Sequence, residues 1–243
     1  MYGICLLPLI PMRSSSSHTS EMINQVLFGE SFEILEKREG WVYIRLFHDH
    51  YKGWISEGQY KTISNRISEF RYSNKVYATI KVNNVRQPLV LGSVIPDASL
   101  LNILNIDCSL KFCEMNNFRS WFLNISKKYL NSPYMWGGRS PFGIDCSGYT
   151  QMVYRFFDIC LPRDSHDQSK EGTEIRFQDS KLGDLAFFEK DDRVIHVGII
   201  LDKNRIIHSS GKVRIDRLDE QGIFNMSEGM YTHKLQSLKR VFR

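Results

Sequence analysis

From Tyr2 to about Lys61 the pattern is one of short strands separated by turns. Short apolar runs there are punctuated by Pro8 and Pro11, the polar loop Ser14 to Ser17, Gly29, Gly40 and Gly53. Phe32-Glu-Ile-Leu35 has strand character, Trp41-Val-Tyr-Ile-Arg-Leu46 alternates apolar and polar, and Tyr51-Lys-Gly-Trp-Ile55 opens another such run. Period-2 runs bounded by turns specify β-strands, and several in succession specify a small barrel. Tyr2 to Ile10 reads as strand with turn punctuation rather than as a signal segment, because no basic residue precedes it and no small-residue cleavage site follows.

The rhythm changes near Cys113. Phe118, Trp121, Phe122, Ile125 and Tyr129 recur at helical spacing, predicting an amphipathic helix that stops near Asn131-Ser-Pro133. Met135-Trp-Gly-Gly138 is a glycine turn. A second helix is predicted from Cys146 to about Asp158, with Met152, Val153, Phe156 and Phe157 on its buried side. Strand-like runs follow at Asp184 to Phe188, Val194 to Leu201 and Arg205 to Ser209, with a hairpin turn at Asp202-Lys-Asn204. Helices first and antiparallel strands later make an α+β unit.

Bulk properties narrow the function classes. The chain has 243 residues, 42% hydrophobic and 24% charged, as a folded globular protein requires. The formal charge of +5 is spread along the chain instead of being gathered on one arm or face, which argues against a nucleic-acid reader. No apolar run approaches the ~20 residues needed to cross a bilayer, so no membrane partner is expected and the chain reads as cytoplasmic, or as periplasmic or secreted if a leader precedes it. Five cysteines without framework spacing or a CxxC pair give no disulfide scaffold and no structural zinc site, and no cofactor is expected.

Cys146 follows Gly143-Ile-Asp145 at the predicted loop-to-helix change. A thiol at a helix N-terminus faces unpaired backbone N–H groups and the positive end of the macrodipole, which favour the thiolate. A nucleophilic thiol needs a base, and the base needs an orienting group. His196, in Val194-Ile-His-Val-Gly198, and His208, in Ile206-Ile-His-Ser-Ser210, fall on the two strands of the predicted hairpin and can supply both. The same three side chains could instead hold zinc, but a fourth ligand is missing and Asp145 and the Gly-Gly turn go unexplained.

Taken in order, Pro133-Tyr-Met-Trp-Gly-Gly138, Asp145-Cys-Ser-Gly148, Leu161-Pro-Arg163, Gly183-Asp-Leu185, His196-Val-Gly-Ile199 and Ile207-His-Ser209 resemble the NlpC/P60 peptidase family. In the first sixty residues Leu27-Phe-Gly-Glu30, Gly40-Trp41-Val42 and Gly53-Trp54-Ile55 resemble a bacterial SH3-type (SH3b) domain. Together they imply a papain-like α+β catalytic domain at 113–243, an SH3b-like barrel at 1–62, and a second SH3b-like module or a linker at 63–112. The combination is similar to the γ-D-glutamyl-L-diamino acid endopeptidases that recycle murein peptides.

The resemblance implies Cys146 as nucleophile, His196 as general base and His208 as the residue that orients it. It also implies Tyr134 as a partner of the Cys146 N–H in holding the oxyanion. Asp164, with Asp145, Ser147 and Ser165 beside it, takes the position that holds the free amine of an N-terminal L-Ala, although Asp164 also suits a helix N-cap. Glu21 and Tyr51 of the first module are further candidates for the substrate site. His18, His48, His50, His166 and His233 have no motif context and read as surface residues. A broader wall hydrolase, an amidase or acyltransferase on the same fold, and a non-catalytic wall-binding protein are the alternatives.

Overall fold

The structure, a computed structural model, describes residues 1–110 and 117–242. Cys113 and the expected boundary at 112/113 lie outside the described residues. The chain divides into two compact units: Met1–Glu114 with Trp136–Pro141, and Met115–Met135 with Phe142–Arg243. None of the described cysteines, Cys5, Cys108, Cys146 and Cys160, is in a disulfide. No helix among the described residues is long and apolar enough to cross a membrane.

The first unit is built on a seven-stranded antiparallel sheet. Its order is Met22–Leu27, Leu9–Arg13, Lys52–Ser56, Trp41–Leu46, Ser31–Arg38, Tyr2–Ile4 and Lys61–Ile63. Strict alternation in Trp41–Leu46 sends Val42, Ile44 and Leu46 inward, where they meet Ile10, Met12, Val26, Phe32 and Ile55. The apolar start of the chain is two strands, separated at Pro8. Residues 63–110 form strands of their own, with Tyr77–Val82 between Val85–Val90 and Ile106–Asp107, and a short helix, Ala98–Ile103, capped by Asp97. Their core contains Ile80, Leu89, Ile95, Leu104 and Ile106, together with Ile4 and Phe28 from the first sixty residues.

Trp136–Pro141 completes this unit although it is distant in sequence. Arg139 is fully buried, and its guanidinium donates in bidentate fashion to Glu30 (Nη1–Oε2 2.9 Å, Nη2–Oε1 3.0 Å). Nη1 also reaches the Gln25 carbonyl at 2.8 Å, and Nη2 reaches His48 Nε2 at 3.1 Å. Gly137 has φ +75°, and a Cβ there would stand 2.5 Å from the Met22 carbonyl oxygen. Only glycine combines that backbone conformation with that approach. Removing one partner of a buried pair leaves the other charge uncompensated. Arg139→Met is therefore expected to cost about 3–5 kcal/mol in urea unfolding. The cost should be markedly non-additive with Glu30→Gln in the double variant.

In the second unit the ladder runs Thr173–Glu174, Met230–Arg240, Leu185–Lys190, Arg193–Asp202, Arg205–Ser210, Lys212–Asp219, Gly222–Asn225, and the last strand pairs again with Met230–Arg240. The six strands from Leu185 onward thus close on themselves around Ala186, Phe188, Ile200, Ile206, Leu218, Ile223 and Leu238. The helix Phe118–Lys127 is capped by Asn117 and buries Phe122 and Ile125. The helix Cys146–Arg155 is buried along its whole length and packs on the strand Arg193–Asp202. Tyr154 stacks on Phe242, which also meets Phe118 and Phe122 edge-on.

Candidate active site

Asp145 is the N-cap of the helix Cys146–Arg155: its Oδ1 accepts the Gly148 N–H at 2.7 Å, and Cys146 is the first helical residue. Cys146 is buried, 6% exposed, and the backbone N–H groups of Val197 and Ser147 lie near enough to its sulfur to favour the thiolate. Val197 immediately follows His196, so the thiol lies against the strand that carries the imidazole. Burial pushes the thiol up to about 12, and the negative charge of Asp145 adds to this against the two N–H groups and Arg163.

His196 and His208 come together by sheet register. Gly198 is directly opposite His208, so His196, two residues earlier, lies diagonally across on the same face. A Cβ at Gly198 would stand 2.9 Å from that of His208, and glycine opens the space the second histidine fills. His196 Nε2 and His208 Nδ1 are 2.9 Å apart. His208 is in turn opposite Arg214, which puts Asp216 on the next diagonal, and His208 Nε2 is 3.1 Å from Asp216 Oδ2. Arg214 Nε donates to Asp216 Oδ2 at 2.6 Å and its Nη2 to Oδ1 at 2.9 Å, while the Met226 N–H reaches Oδ1 at 3.2 Å.

Burial lowers His196 well below the usual imidazole value, and the neighbouring His208 and His233 lower it further. Burial also lowers His208, outweighing the upward pull of Asp216. Burial would raise Asp216, but the bonds from His208, Arg214 and the Met226 N–H hold it at about 2. The arrangement at neutral pH is a thiol, two neutral imidazoles and one carboxylate in series.

Two histidines read as surface residues are not. His233 on Met230–Arg240 stacks on His196 at 4.3 Å between ring centroids, and burial together with His208 takes it down to about 4. His48 contacts Arg139 and Asp49. His18, His50 and His166 are exposed, with His18 against Trp41.

Among the remaining predicted residues of this unit, Asp145 and Ser147 are organised by a residue that received no role in the sequence analysis. Arg163 is 2% exposed and donates to Asp145 Oδ1 at 3.0 Å, Asp145 Oδ2 at 2.5 Å and Ser147 Oγ at 2.9 Å. Gln168 fixes the following loop by donating to the carbonyls of Ser147 and Pro162. Asp164 is exposed at the N-cap position of the short helix Ser165–Gln168, but its side chain makes no capping hydrogen bond. Ser165 is half-buried beside it. Tyr134 is 39% exposed, and its hydroxyl is pushed up to about 12, first by burial and then by Cys146 and Asp145.

Glu21 and Tyr51 belong to the first unit. Glu21 Oε1 accepts from Trp136 Nε1 at 2.6 Å, and Tyr51 is half-buried against the barrel core. Among the described residues no group of three or more His, Cys, Asp or Glu side chains is arranged to hold a metal ion.

Comparison with known proteins matches residues 131–233 to the NlpC/P60 family and residues 12–59 to the bacterial dipeptidyl-peptidase SH3 domain. A γ-D-glutamyl-L-lysine dipeptidyl-peptidase of Bacillus cereus is 28% identical over 229 residues, covering 79% of this chain and 68% of that protein. Dipeptidyl-peptidase 6 of Lysinibacillus sphaericus is 26% identical over 242 residues, covering 83% of this chain and 86% of that protein. The crystal structure of an NlpC/P60 family protein from Bacillus cereus superposes with a TM-score of 0.79 over 99% of both chains at 18% identity, a likeness of fold. The α+β unit with its helix-borne cysteine thus carries an NlpC/P60 domain at residues 131–233, and the small barrel before it a bacterial dipeptidyl-peptidase SH3 domain at residues 12–59.

Proposed function

We propose that the chain is a cysteine peptidase that hydrolyses the γ-D-glutamyl to diamino-acid bond of short murein peptides carrying a free N-terminal L-Ala, as a cytoplasmic recycling enzyme. The observation that carries this reading is the helix-borne Cys146 thiol against the strand of a His196–His208 pair. His196 Nε2 is committed to His208, so Nδ1 is the ring nitrogen that remains to take a proton. Because the thiol is held up and the imidazole held down, the proton moves from Sγ to Nδ1 as sulfur attacks the γ-carbonyl carbon.

The oxyanion meets the Cys146 N–H at the helix N-terminus and the Tyr134 hydroxyl, a term worth about 3–4 kcal/mol per donor. His196 then gives its proton to the departing amine of the diamino acid, leaving a thioester. Water, deprotonated by the same nitrogen, releases the dipeptide and restores the thiol. The name of the Bacillus cereus relative, a γ-D-glutamyl-L-lysine dipeptidyl-peptidase, supports the bond assigned, and that of the Lysinibacillus relative supports release of a dipeptide.

Asp145 is answered by the buried Arg163, so it and Ser147 shape the site through that pair, with Ser165 beside them. Asp164, exposed at the start of the short helix Ser165–Gln168, is the acidic group assigned to the substrate ammonium, with Glu21 and Tyr51 as further substrate residues. A charge-assisted bond to that ammonium is worth about 1.5–3 kcal/mol. N-acetylation of L-Ala-γ-D-Glu-diaminopimelate should then lower kcat/KM roughly ten- to hundredfold, and Asp164→Asn should erode the difference. The measurement is kcat/KM on the free peptide, its N-acetyl form and intact sacculi. Equal cleavage of free and capped peptides, or efficient lysis of sacculi, would replace the recycling reading with a wall-lytic one.

A further inference from the structure

The pair of histidines does not end the chain of hydrogen bonds. We infer that Asp216 is a positioning residue that dictates the tautomer of His208, and through it leaves the lone pair of His196 on Nδ1, the nitrogen to which the proposed mechanism assigns the thiol proton. This deepens the reading of His196 as the base and rests on it.

The other groups bonded to the Asp216 carboxylate, Arg214 Nε, Arg214 Nη2 and the Met226 N–H, all donate. Arg214 is itself held by Asn225 Oδ1 at 2.7 Å and cannot supply an acceptor. Asp216 is therefore ionised and accepts only, so His208 Nε2, 3.1 Å away, must carry hydrogen and donate. A neutral imidazole has a single N–H, which makes His208 Nδ1 an acceptor. The 2.9 Å bond between the rings then runs from His196 Nε2–H to His208 Nδ1. With its one hydrogen on Nε2, His196 presents a bare Nδ1. One carboxylate thus fixes the direction of every bond behind the base. All three residues are buried, at 5%, 1% and 2% exposure, so water does not compete for these nitrogens.

Asparagine at this position reverses the chain. Its carbonyl, turned to the Met226 N–H and Arg214 Nη2, keeps two donors and gives up only the one from Arg214 Nε, which directs its NH₂ at His208 Nε2. That nitrogen becomes the acceptor, Nδ1 of His208 becomes the donor, and His196 is left protonated on Nδ1, where it can no longer accept from the thiol. Loss of the correct tautomer in a serine peptidase with the analogous Asp→Asn change costs about 10⁴-fold in kcat.

The test is ¹⁵N NMR of the full-length chain with labelled histidine, near pH 7.5, on the native protein and on Asp216→Asn. The native spectrum should show hydrogen on Nε2 and none on Nδ1 in both His196 and His208. Asp216→Asn should show the opposite tautomers, with kcat down by roughly a thousandfold and KM within about threefold. A native His196 protonated on Nδ1, or an Asp216→Asn protein with unchanged tautomers and kcat, overturns the inference. The native spectrum decides even if the variant does not fold. Expected tautomers in a protein whose Cys146→Ala variant still hydrolyses the peptide support the assignment of Asp216 and defeat the peptidase reading alone.

Discussion

Cys146→Ala is expected to remove hydrolysis of L-Ala-γ-D-Glu-diaminopimelate down to the uncatalysed background, a loss of five to six orders of magnitude on the scale seen when a catalytic nucleophile is deleted, roughly 10⁶. In the proposed mechanism the thioester forms on this sulfur. The substitution deletes one buried sulfur and leaves the helix cap, the Arg163–Asp145 pair and the barrel ladder in place, so stability should change by about 1 kcal/mol or less. Circular dichroism and urea unfolding check the fold, and release of the dipeptide checks activity. Alkylation adds a control: Cys146 should label only with the help of His196, whereas exposed Cys160 should label in either background. A folded Cys146→Ala protein that still releases the dipeptide would eliminate the proposed mechanism.

His196→Ala should be nearly as severe, at roughly 10⁴-fold or more in kcat, with His208→Ala milder because His208 acts through His196. The pH profile carries the sharper statement. Burial, His208 and His233 lower His196, so the base stays neutral below the pH at which a free histidine titrates. In kcat/KM the acid limb should therefore fall well below pH 6.5, activity being lost only as pH drops through the depressed value. An acid limb at or above 6.5 would mean that His196 is not the titrating base.

The parts of the site that the sequence made legible are those whose local rules agree with the fold. The loop-to-helix change at Cys146 marks the first helical residue, while the capping role of Asp145 emerges only in the structure, and the Asp202–Asn204 turn pairs the two histidine strands. The helix expected to run to Asp158 ends at Arg155, after which two turn residues lead to Asp158 at φ 57°. Asp216 was hidden because it stands among Arg214, Arg217 and Asp219, which read as a solvated strand face. The clue was parity: Asp216 shares its face with Leu218, which lies in the barrel core. His233, flanked by Thr232 and Lys234, gave no sign of the imidazole it stacks on. Arg163 stands in the Leu161-Pro-Arg163 motif without a role of its own, because its partner lies 18 positions away and no local window joins the two. Residues 63–110 were hardest to read. Their core draws on Ile4 and Phe28, and no local window contains both halves of such a contact.

The membership of Trp136–Pro141 in the first unit bears on how chains of this kind can be recombined. Modular proteins are usually pictured as beads exchanged by crossovers in the linkers between them. Here a crossover between residues 110 and 117 would hand the second unit to a foreign barrel while it still carried a six-residue piece of the old one. Arg139 would arrive without Glu30, and Gly137 without the Met22 backbone it was shaped against. A replacement barrel would be accepted only if it already offered a carboxylate and a close-lying strand at those places. Such a requirement makes the two parts co-inherited: ancestry in this chain should follow one tree for both, and hybrids drawn from distant parents should fail at Arg139 before they fail at Cys146.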